Sequence, residues 1–225
     1  MNPIISAQHL SKQYRVHRGR PDSLKEAVVR RKKNRSSSEF WALKEVSLDI
    51  KEGSFFGLIG HNGSGKTTLL KLMAGIHNPT SGQLKVNGRV SALLELGSGF
   101  HPELSGRENI YLNGAILGLT RREMDLAVDE IIEFSDIGDF IDAPVKILSS
   151  GMYVRLGFAV AVHVAPEILL IDEVIAVGDE AFQRKCLEHL YELRRAGTTI
   201  VLVSHSLPLV EGLCDEVGWL DHGAL

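Results

Sequence analysis

Cysteine is scarce in this chain, aromatics are few, and no long apolar run occurs. Only Cys186 and Cys214 appear among 225 residues, so no disulfide framework holds the fold, and a reducing compartment is expected. No stretch approaches the roughly 18 apolar residues that a membrane span requires. The start of the chain lacks the charged-then-apolar pattern of a secretory leader. The chain is therefore expected to reach a membrane only through a partner. Charge is nearly balanced, with 25 Lys and Arg against 28 Asp and Glu, and this argues neither for nor against nucleic acid. Internal repeats and low-complexity segments are also missing. A hydrophobic content of 44% and the length suit one large domain, or a domain with an inserted lobe.

The strongest signal present is Gly60-His61-Asn62-Gly63-Ser64-Gly65-Lys66-Thr67, followed by Thr68. An apolar run over residues 55–59 reads as a strand delivering the chain to a tight turn. The glycines let backbone N–H groups converge on phosphate oxygens, because no Cβ blocks the approach. Lys66 can neutralise β and γ phosphates, and Thr67 can offer its hydroxyl to Mg²⁺. Residues 67–76 then read as a helix, with Leu69, Leu70, Leu72, Met73 and Ile76 at helical spacing and its positive end toward the phosphates. The chain is expected to bind a nucleoside triphosphate.

Around this loop the pattern alternates between strand and helix. Strands are expected over 4–10 and 40–50. The motif Asn87-Gly88 suits a type I′ turn, so 83–86 and 89–94 are expected to pair as a hairpin. From about residue 96 to 163 the character is helical, with candidates over 108–117, 121–134 and 151–164. The run 168–171 is fully apolar, as a buried parallel strand should be. A helix over 181–195, a strand over 198–203 and a helix over 207–214 follow. Strand–helix alternation of this kind predicts a parallel α/β sheet. Residues 15–35 differ in carrying nine Lys and Arg against Asp22 and Glu26. They read either as a solvated insertion or as a basic patch for anionic headgroups or a phosphate-bearing substrate. Nucleic acid ranks last there, since base-stacking aromatics are not interleaved.

Three further segments carry chemistry. Ile168-Leu169-Leu170-Ile171-Asp172-Glu173 is an apolar strand ending in two carboxylates. Asp172 can hold Mg²⁺ through its water shell, and Glu173 can polarise an attacking water. Leu148-Ser149-Ser150-Gly151-Met152 precedes a helix; its serine can cap that helix or present its hydroxyl to a phosphate. His205, at the end of a strand, can hydrogen-bond a γ-phosphate and the attacking water.

This ordered set resembles the nucleotide-binding subunit of an ABC transporter, along essentially the whole chain. The resemblance implies an α/β P-loop NTPase fold with a mainly parallel sheet core, an N-terminal antiparallel β portion and an inserted helical lobe. Residues 1–95 and 165–225 would form the nucleotide-binding core, 96–164 the helical lobe and 15–39 the basic insertion. Ser149, Ser150, Gly151 and Met152 match the signature motif, which completes the site of a second subunit. Two copies would pack head to tail around two ATP molecules, with Mg²⁺. Ser150 and Met152 depart from the usual Gly and Gln, and Ser-Ser-Gly-Met looks like the variant in ATPases that export O-antigen polysaccharide and teichoic acid. The stretches Leu94-Glu95-Leu96-Gly97, Gly99-Phe100-His101-Pro102, Gly106-Arg107-Glu108-Asn109-Ile110 and Gly178-Asp179 agree, as do Phe182, Lys185 and Cys186.

The resemblance also implies an aromatic that stacks on adenine, for which Tyr14 fits best and Trp41 is the rival. The family's Mg²⁺-linking glutamine is missing, and Glu95 stands nearest to its place. The implied function is a transport-coupled ATPase at the cytoplasmic face of the membrane, driving export of a lipid-linked glycan through a polytopic membrane subunit. The alternatives are another ABC importer or exporter, or a soluble ABC-type ATPase acting on nucleic acid or ribosomes. The final residues, 221–225, read as a turn between two strands, and some relatives continue into a carbohydrate-binding domain.

Overall fold

The computed structural model describes residues 3–16, 38–94, 99–164, 166–172 and 179–225. Most of the basic insertion, Glu95, Leu96, Gly97, Glu173 and Gly178 lie outside the described residues.

Two sheets organise the chain. Strands β1 (Ile5–Val16), β2 (Ser38–Ile50) and β4 (Ser81–Val86) form an antiparallel sheet in the order β2-β1-β4. Strands β3 (Phe55–Ile59), β5 (Val90–Leu93), β6 (Ile168–Asp172), β7 (Thr199–Val203) and β8 (Glu216–Trp219) form a parallel sheet in the order β5-β6-β7-β3-β8. The central strands are apolar on both faces because both faces are covered. Phe55, Leu169, Ile171, Ile200 and Leu202 face one core, shared with the helices that follow β5. Phe56, Leu58, Ile168, Leu170, Val201 and Val203 face a second core, shared with the antiparallel sheet and the helix after the glycine loop.

That helix, α1, spans Lys66–Met73. It is shorter than the sequence pattern predicts: Gly75 takes a left-handed φ of 70°, the usual helix-terminating conformation, and Ile76 is exposed. The helical segment contains α2 (Gly106–Ile116), α3 (Arg121–Ser135) and α4 (Ser150–His163). Short 3₁₀ turns at Gly138–Asp142 and Val145–Ile147 separate α3 from α4. Ser105 with Glu108, and Thr120 with Glu123, form reciprocal capping boxes that start α2 and α3. Those hydrogen bonds hold both glutamates below the ordinary carboxylate range. Helices α5 (Glu180–Arg195) and α6 (Leu207–Leu213) complete the parallel unit.

The expected hairpin at Asn87-Gly88 does not form. Residues 81–86 pair with β1, and 90–93 pair with β6 in the other sheet. The Asn87 N–H donates to Ile4 O at 2.9 Å, and the Arg89 N–H donates to Glu167 Oε2 at 2.6 Å. Gly88 crosses between the sheets at φ 140°, where a Cβ would lie 2.7 Å from that carboxylate. The physical reason is burial. Val90, Ala92 and Leu93 gain more burial beside β6, where the Ser91 hydroxyl also donates to Ala161 O, than on the largely solvent-facing β4.

Behind α4, His163 stacks on His189 with ring centroids 4.6 Å apart and meets the edge of Phe134 at 4.9 Å. Its Nδ1–H donates to Ala159 O at 2.8 Å. Burial pushes its pKa below 6.5. A histidine held neutral when folded contributes stability at neutral pH. That contribution is lost as pH falls below about 6.5, where the unfolded chain takes up a proton that the folded chain refuses. Urea unfolding at pH 7.5 and 5.5 is expected to show lower stability in acid, with a smaller difference in His163→Gln. An equal pH dependence in the variant would remove His163 from the account.

Candidate functional site

The carboxyl ends of three neighbouring parallel strands make the site. Val203 of β7 lies opposite Asp172 of β6 on one side and Leu58 of β3 on the other. The loop after β3, the carboxylate ending β6 and the Ser204-His205 segment after β7 therefore emerge along one sheet edge, where open α/β sheets bind ligands.

The loop is built by glycine. Gly60, Gly63 and Gly65 take φ of 151°, 80° and 111°. A Cβ on Gly60 would sit 2.1 Å from Leu220 O, and one on Gly65 would sit 2.4 Å from Ala42 O. The loop is thus wedged between β2 and the end of β8, and only glycine fits at either position. Gly65 is also the N-cap of α1 and gives it no side-chain cap. The first-turn N–H groups of α1 therefore remain available to an anion. Ser64 Oγ is buried without a hydrogen-bond partner among the described residues.

Lys66 is only 6% exposed. Its Nζ donates to Gly60 O at 2.7 Å and His61 O at 3.0 Å, which commits two of its three protons and keeps the ammonium over the loop. Thr67 Oγ1 donates to Asp172 Oδ2 at 2.8 Å. A hydroxyl and a carboxylate oxygen this close are hard oxygen donors suited to Mg²⁺, which binds few protein groups and keeps several waters. Residues 65–68 and Asp172 line a cleft of about 530 Å³ together with Phe40, Ala42, Asn62 and Gly63. A loop lined by positive N–H ends and one lysine, facing a paired hydroxyl and carboxylate, can hold a polyphosphate with a divalent cation.

Not every expected residue reaches this cleft. Tyr14 lies outside its lining, against the edge of His77 at 5.9 Å and under Lys12 Nζ at 5.3 Å. Phe40, directly opposite Tyr14 in the β1–β2 register, is the aromatic that lines the cleft. Directly opposed residues share a face of the sheet, so Trp41 belongs to the other face. Phe40 carries no local signal for this place; its cross-strand register with Tyr14 supplies it. His205 is exposed just beyond β7 and also lies outside the lining. Glu95 and Glu173 are outside the described residues.

The signature segment is elsewhere on the chain. Ser149 is the N-cap of α4, its Oγ accepting from the Met152 N–H at 3.2 Å. Ser149 and Ser150 are exposed, Gly151 and Met152 partly so, and none lines the cleft.

Two structural residues had no signal in the local pattern. Asn109 is fully buried. Its Oδ1 accepts from the His101 N–H at 2.6 Å, and its amide donates to the carbonyls of His101, Leu104 and Ser105. It thereby fixes the loop that leads into α2. Arg155 of α4 donates to Asp136 Oδ2 at 3.0 Å, at the end of α3, and to Asp179, the N-cap of α5. Its guanidinium also lies 5.0 Å from the Phe182 ring centre. The Phe182 N–H, with Arg155, holds the Asp179 carboxyl below the usual carboxylate range. Arg155 thus links the signature helix to the segment that follows the Asp172 strand.

Residues 43–176 match the family model described as ABC transporter. An O-antigen export system ATP-binding protein of Klebsiella pneumoniae is 44% identical over 228 residues, covering 100% of this chain and 93% of that protein. One of Myxococcus xanthus is 54% identical over 213 residues, which are 93% of this chain and 49% of that longer protein. The chain therefore spans about half the length of that relative. A teichoic acids export ATP-binding protein of Levilactobacillus brevis is 44% identical over 221 residues, 98% of this chain and 60% of its own. Among solved structures, a dimeric bacterial ABC transporter cassette matches with a TM-score of 0.79 at 22% identity, covering 98% of this chain and 96% of that one. A dimeric ATP-binding cassette in a post-hydrolysis state, bound to ADP and phosphate, matches at 0.77 and 21% with the same coverage. At such identities the structural likeness is one of fold.

Proposed function

The chain belongs to the ABC transporter family of ATP-binding subunits, in the group that holds O-antigen and teichoic acid export ATPases, and from that premise we propose that it powers export of a lipid-linked polysaccharide through a separate membrane subunit. The observation that carries the reading is the meeting of Lys66, Thr67 and Asp172 in one cleft that Ser149–Met152 does not line. One chain then supplies half of each nucleotide site, and a second copy supplies the signature half.

The triphosphate lies in the loop of residues 60–68, held by backbone N–H groups and by Lys66 on its β and γ oxygens. Phe40, with Tyr14 on the same face, offers an aromatic wall for the base. Thr67 and Asp172, with Glu95 as a further oxygen donor, would hold Mg²⁺, which would supply charge to neutralise the phosphate oxygens. Glu173 accepts a proton from the attacking water, and His205 hydrogen-bonds the γ-phosphate and orients that water. Ser149 and Gly151 of the second copy close on the same γ-phosphate, so ATP binds the closed dimer better than the open one. Hydrolysis removes that bridge and the dimer reopens.

In this reading residues 1–95 and 165–225 act as the nucleotide-binding core, and 96–164 transmit closure to the membrane subunit. The expected basic insertion, 15–39, begins in β1 and ends in β2, and we read its intervening residues as an insertion by their charge. Among the described residues no helix is long and apolar enough to cross a membrane, and we assign the chain a peripheral position on the cytoplasmic face. The test is a pull-down of tagged Glu173→Gln protein from detergent-solubilised native membranes with MgATP, read by mass spectrometry. A polytopic partner carrying lipid-linked glycan is expected. A different lipid or solute cargo would move the chain to another branch of ABC transporters. Ribosomal or DNA-associated partners would replace the transport reading with that of a soluble ATPase.

A further inference from the structure

Beside the phosphate loop, three side chains from two distant parts of the chain converge. His61 is the second residue of the loop, and Asp221 and His222 belong to the turn after β8. His61 Nε2 lies 3.1 Å from Asp221 Oδ1, and His222 Nε2 lies 3.8 Å from the same oxygen. The imidazole centroids are 4.5 Å apart, and the three ligand atoms all fall within 4.8 Å of one another. Ligand atoms of a tetrahedral zinc ion, with bonds of about 2.0–2.1 Å, are about 3.3 Å apart. The two distances to Asp221 Oδ1, 3.1 and 3.8 Å, lie near that edge length, and the third is within 4.8 Å.

The hydrogen bonds sharpen the case. His61 Nδ1 lies 2.8 Å from the Asn62 carbonyl oxygen. A carbonyl only accepts, so Nδ1 carries its hydrogen there. In the neutral ring, Nε2 then turns a lone pair toward the Asp221 carboxylate. Two acceptors at that distance need a cation between them, either a second proton or a metal ion. A second proton would join His61 to Asp221, whereas a metal ion would also engage His222, whose Nε2 lies 3.8 Å from the same oxygen. An imidazole N–H donated to a backbone carbonyl is also the outer-shell support that metal-bound histidines use.

The turn is preorganised against the loop. The Asp221 N–H donates to Ala224 O at 2.8 Å, the Gly223 N–H donates to Ser64 O at 2.9 Å, and Leu220 N–H donates to Ile59 O at 2.8 Å. His222 is held at φ 45°, a left-handed conformation that few non-glycine residues adopt, Asn, Asp and His most often among them.

We propose that His61, Asp221 and His222 form a surface site for a transition-metal cation of the Zn²⁺ type, completed by water, whose occupation clamps the phosphate loop to the turn after β8. Two nitrogen donors favour such an ion over Mg²⁺, which takes oxygen ligands. Clamping His61 holds the Gly60 and His61 carbonyls against Lys66 Nζ and so opposes release of the ammonium to a phosphate. The site therefore acts as a brake on nucleotide binding. The brake rests on the ATP-binding reading; the metal site does not.

The test titrates Co²⁺ into the chelator-stripped full chain without nucleotide. One equivalent is expected to bind with the visible absorption of a nitrogen-ligated, low-coordinate ion, and Zn²⁺ should displace it. Asp221→Asn and His222→Asn should weaken binding tenfold or more, and asparagine suits the φ of residue 222. Asp172→Asn should leave the spectrum intact, which separates this site from the oxygen donors of the cleft. Zn²⁺ should raise the Tm of the wild type and not of His222→Asn. Absent Co²⁺ absorption, or a spectrum unchanged in both variants, would overturn the site. Zn²⁺ should also weaken ATP binding by the wild type but not by His222→Asn; equal ATP affinity with the site filled would overturn the brake. Should the metal-free chain bind no ATP, the ATP reading fails while the Co²⁺ spectrum still reports on the site.

Discussion

Lys66→Ala is expected to abolish ATP hydrolysis and to weaken ATP binding by about 10²–10³-fold. Lys66 is nearly buried and sits over the loop, so its charge meets phosphate in a poorly solvated setting. Hydrogen bonds to charged groups are worth about 1.5–3 kcal/mol each. Two of them, to β and γ oxygens, gross about 3–6 kcal/mol; the bonds to Gly60 O and His61 O that Lys66 gives up leave roughly 3–4 kcal/mol, which is that fold-change. The substitution also frees the carbonyls of Gly60 and His61, in a surface loop where water can reach them, so the loss of stability should stay small. Calorimetric titration with MgATP measures the affinity, and thermal unfolding of the same sample checks the fold. Tight binding by a folded Lys66→Ala protein would contradict the assignment of the loop. Lys66→Arg should recover part of the binding but little of the turnover, because a planar guanidinium cannot occupy the pocket of a compact ammonium.

Glu173→Gln is expected to separate binding from chemistry. Removing a general base costs on the order of 10²–10⁴ in rate, while the loop, Thr67 and Asp172 are untouched. If Glu173 acts as proposed, the variant should bind MgATP as well as the wild type or better, since it would bring no negative charge to the γ-phosphate. With hydrolysis stopped, the ATP bridge between the two signature and loop halves persists. Light scattering after gel filtration should then show a dimer with MgATP and a monomer with MgADP. A monomer at saturating ATP, with and without the membrane partner, would overturn the two-copy sandwich. The Lys66→Ala and Glu173→Gln results are independent: the first tests where the phosphates sit, the second what becomes of them.

The parts of the site legible in the sequence are those set by short-range chemistry. The glycine loop needs backbone freedom at Gly60, Gly63 and Gly65, and glycine is readable as such; the φ values and the Cβ clearances agree. Ser149 at the start of α4 and Asp172 at the end of β6 follow from capping and from apolar runs of strand length. Asn87-Gly88 misled for the same reason. Its preference for a tight turn is local, but Val90–Leu93 gains more apolar burial beside β6 than a hairpin with β4 would return. The competition was decided by a neighbour some 78 residues away, as the Arg89 bond to Glu167 illustrates.

Residues that act across the fold were silent for a related reason. Phe40 lines the cleft because β2 pairs with β1 so that Phe40 lies opposite Tyr14, and Arg155 matters because α3 and α5 bring Asp136 and Asp179 to it. His61 meets Asp221 across a sequence separation of 160. Amino-acid order by itself determined the phosphate loop, the Asp172 strand end, the signature cap and the alternation that makes an α/β sheet, since each depends on backbone geometry and burial within a few residues. Only the tertiary structure decided which strands share a sheet, which aromatic reaches the cleft and which distant charges and imidazoles meet. Those outcomes depend on burial and pairing summed over the whole chain, and no local stretch carries that sum.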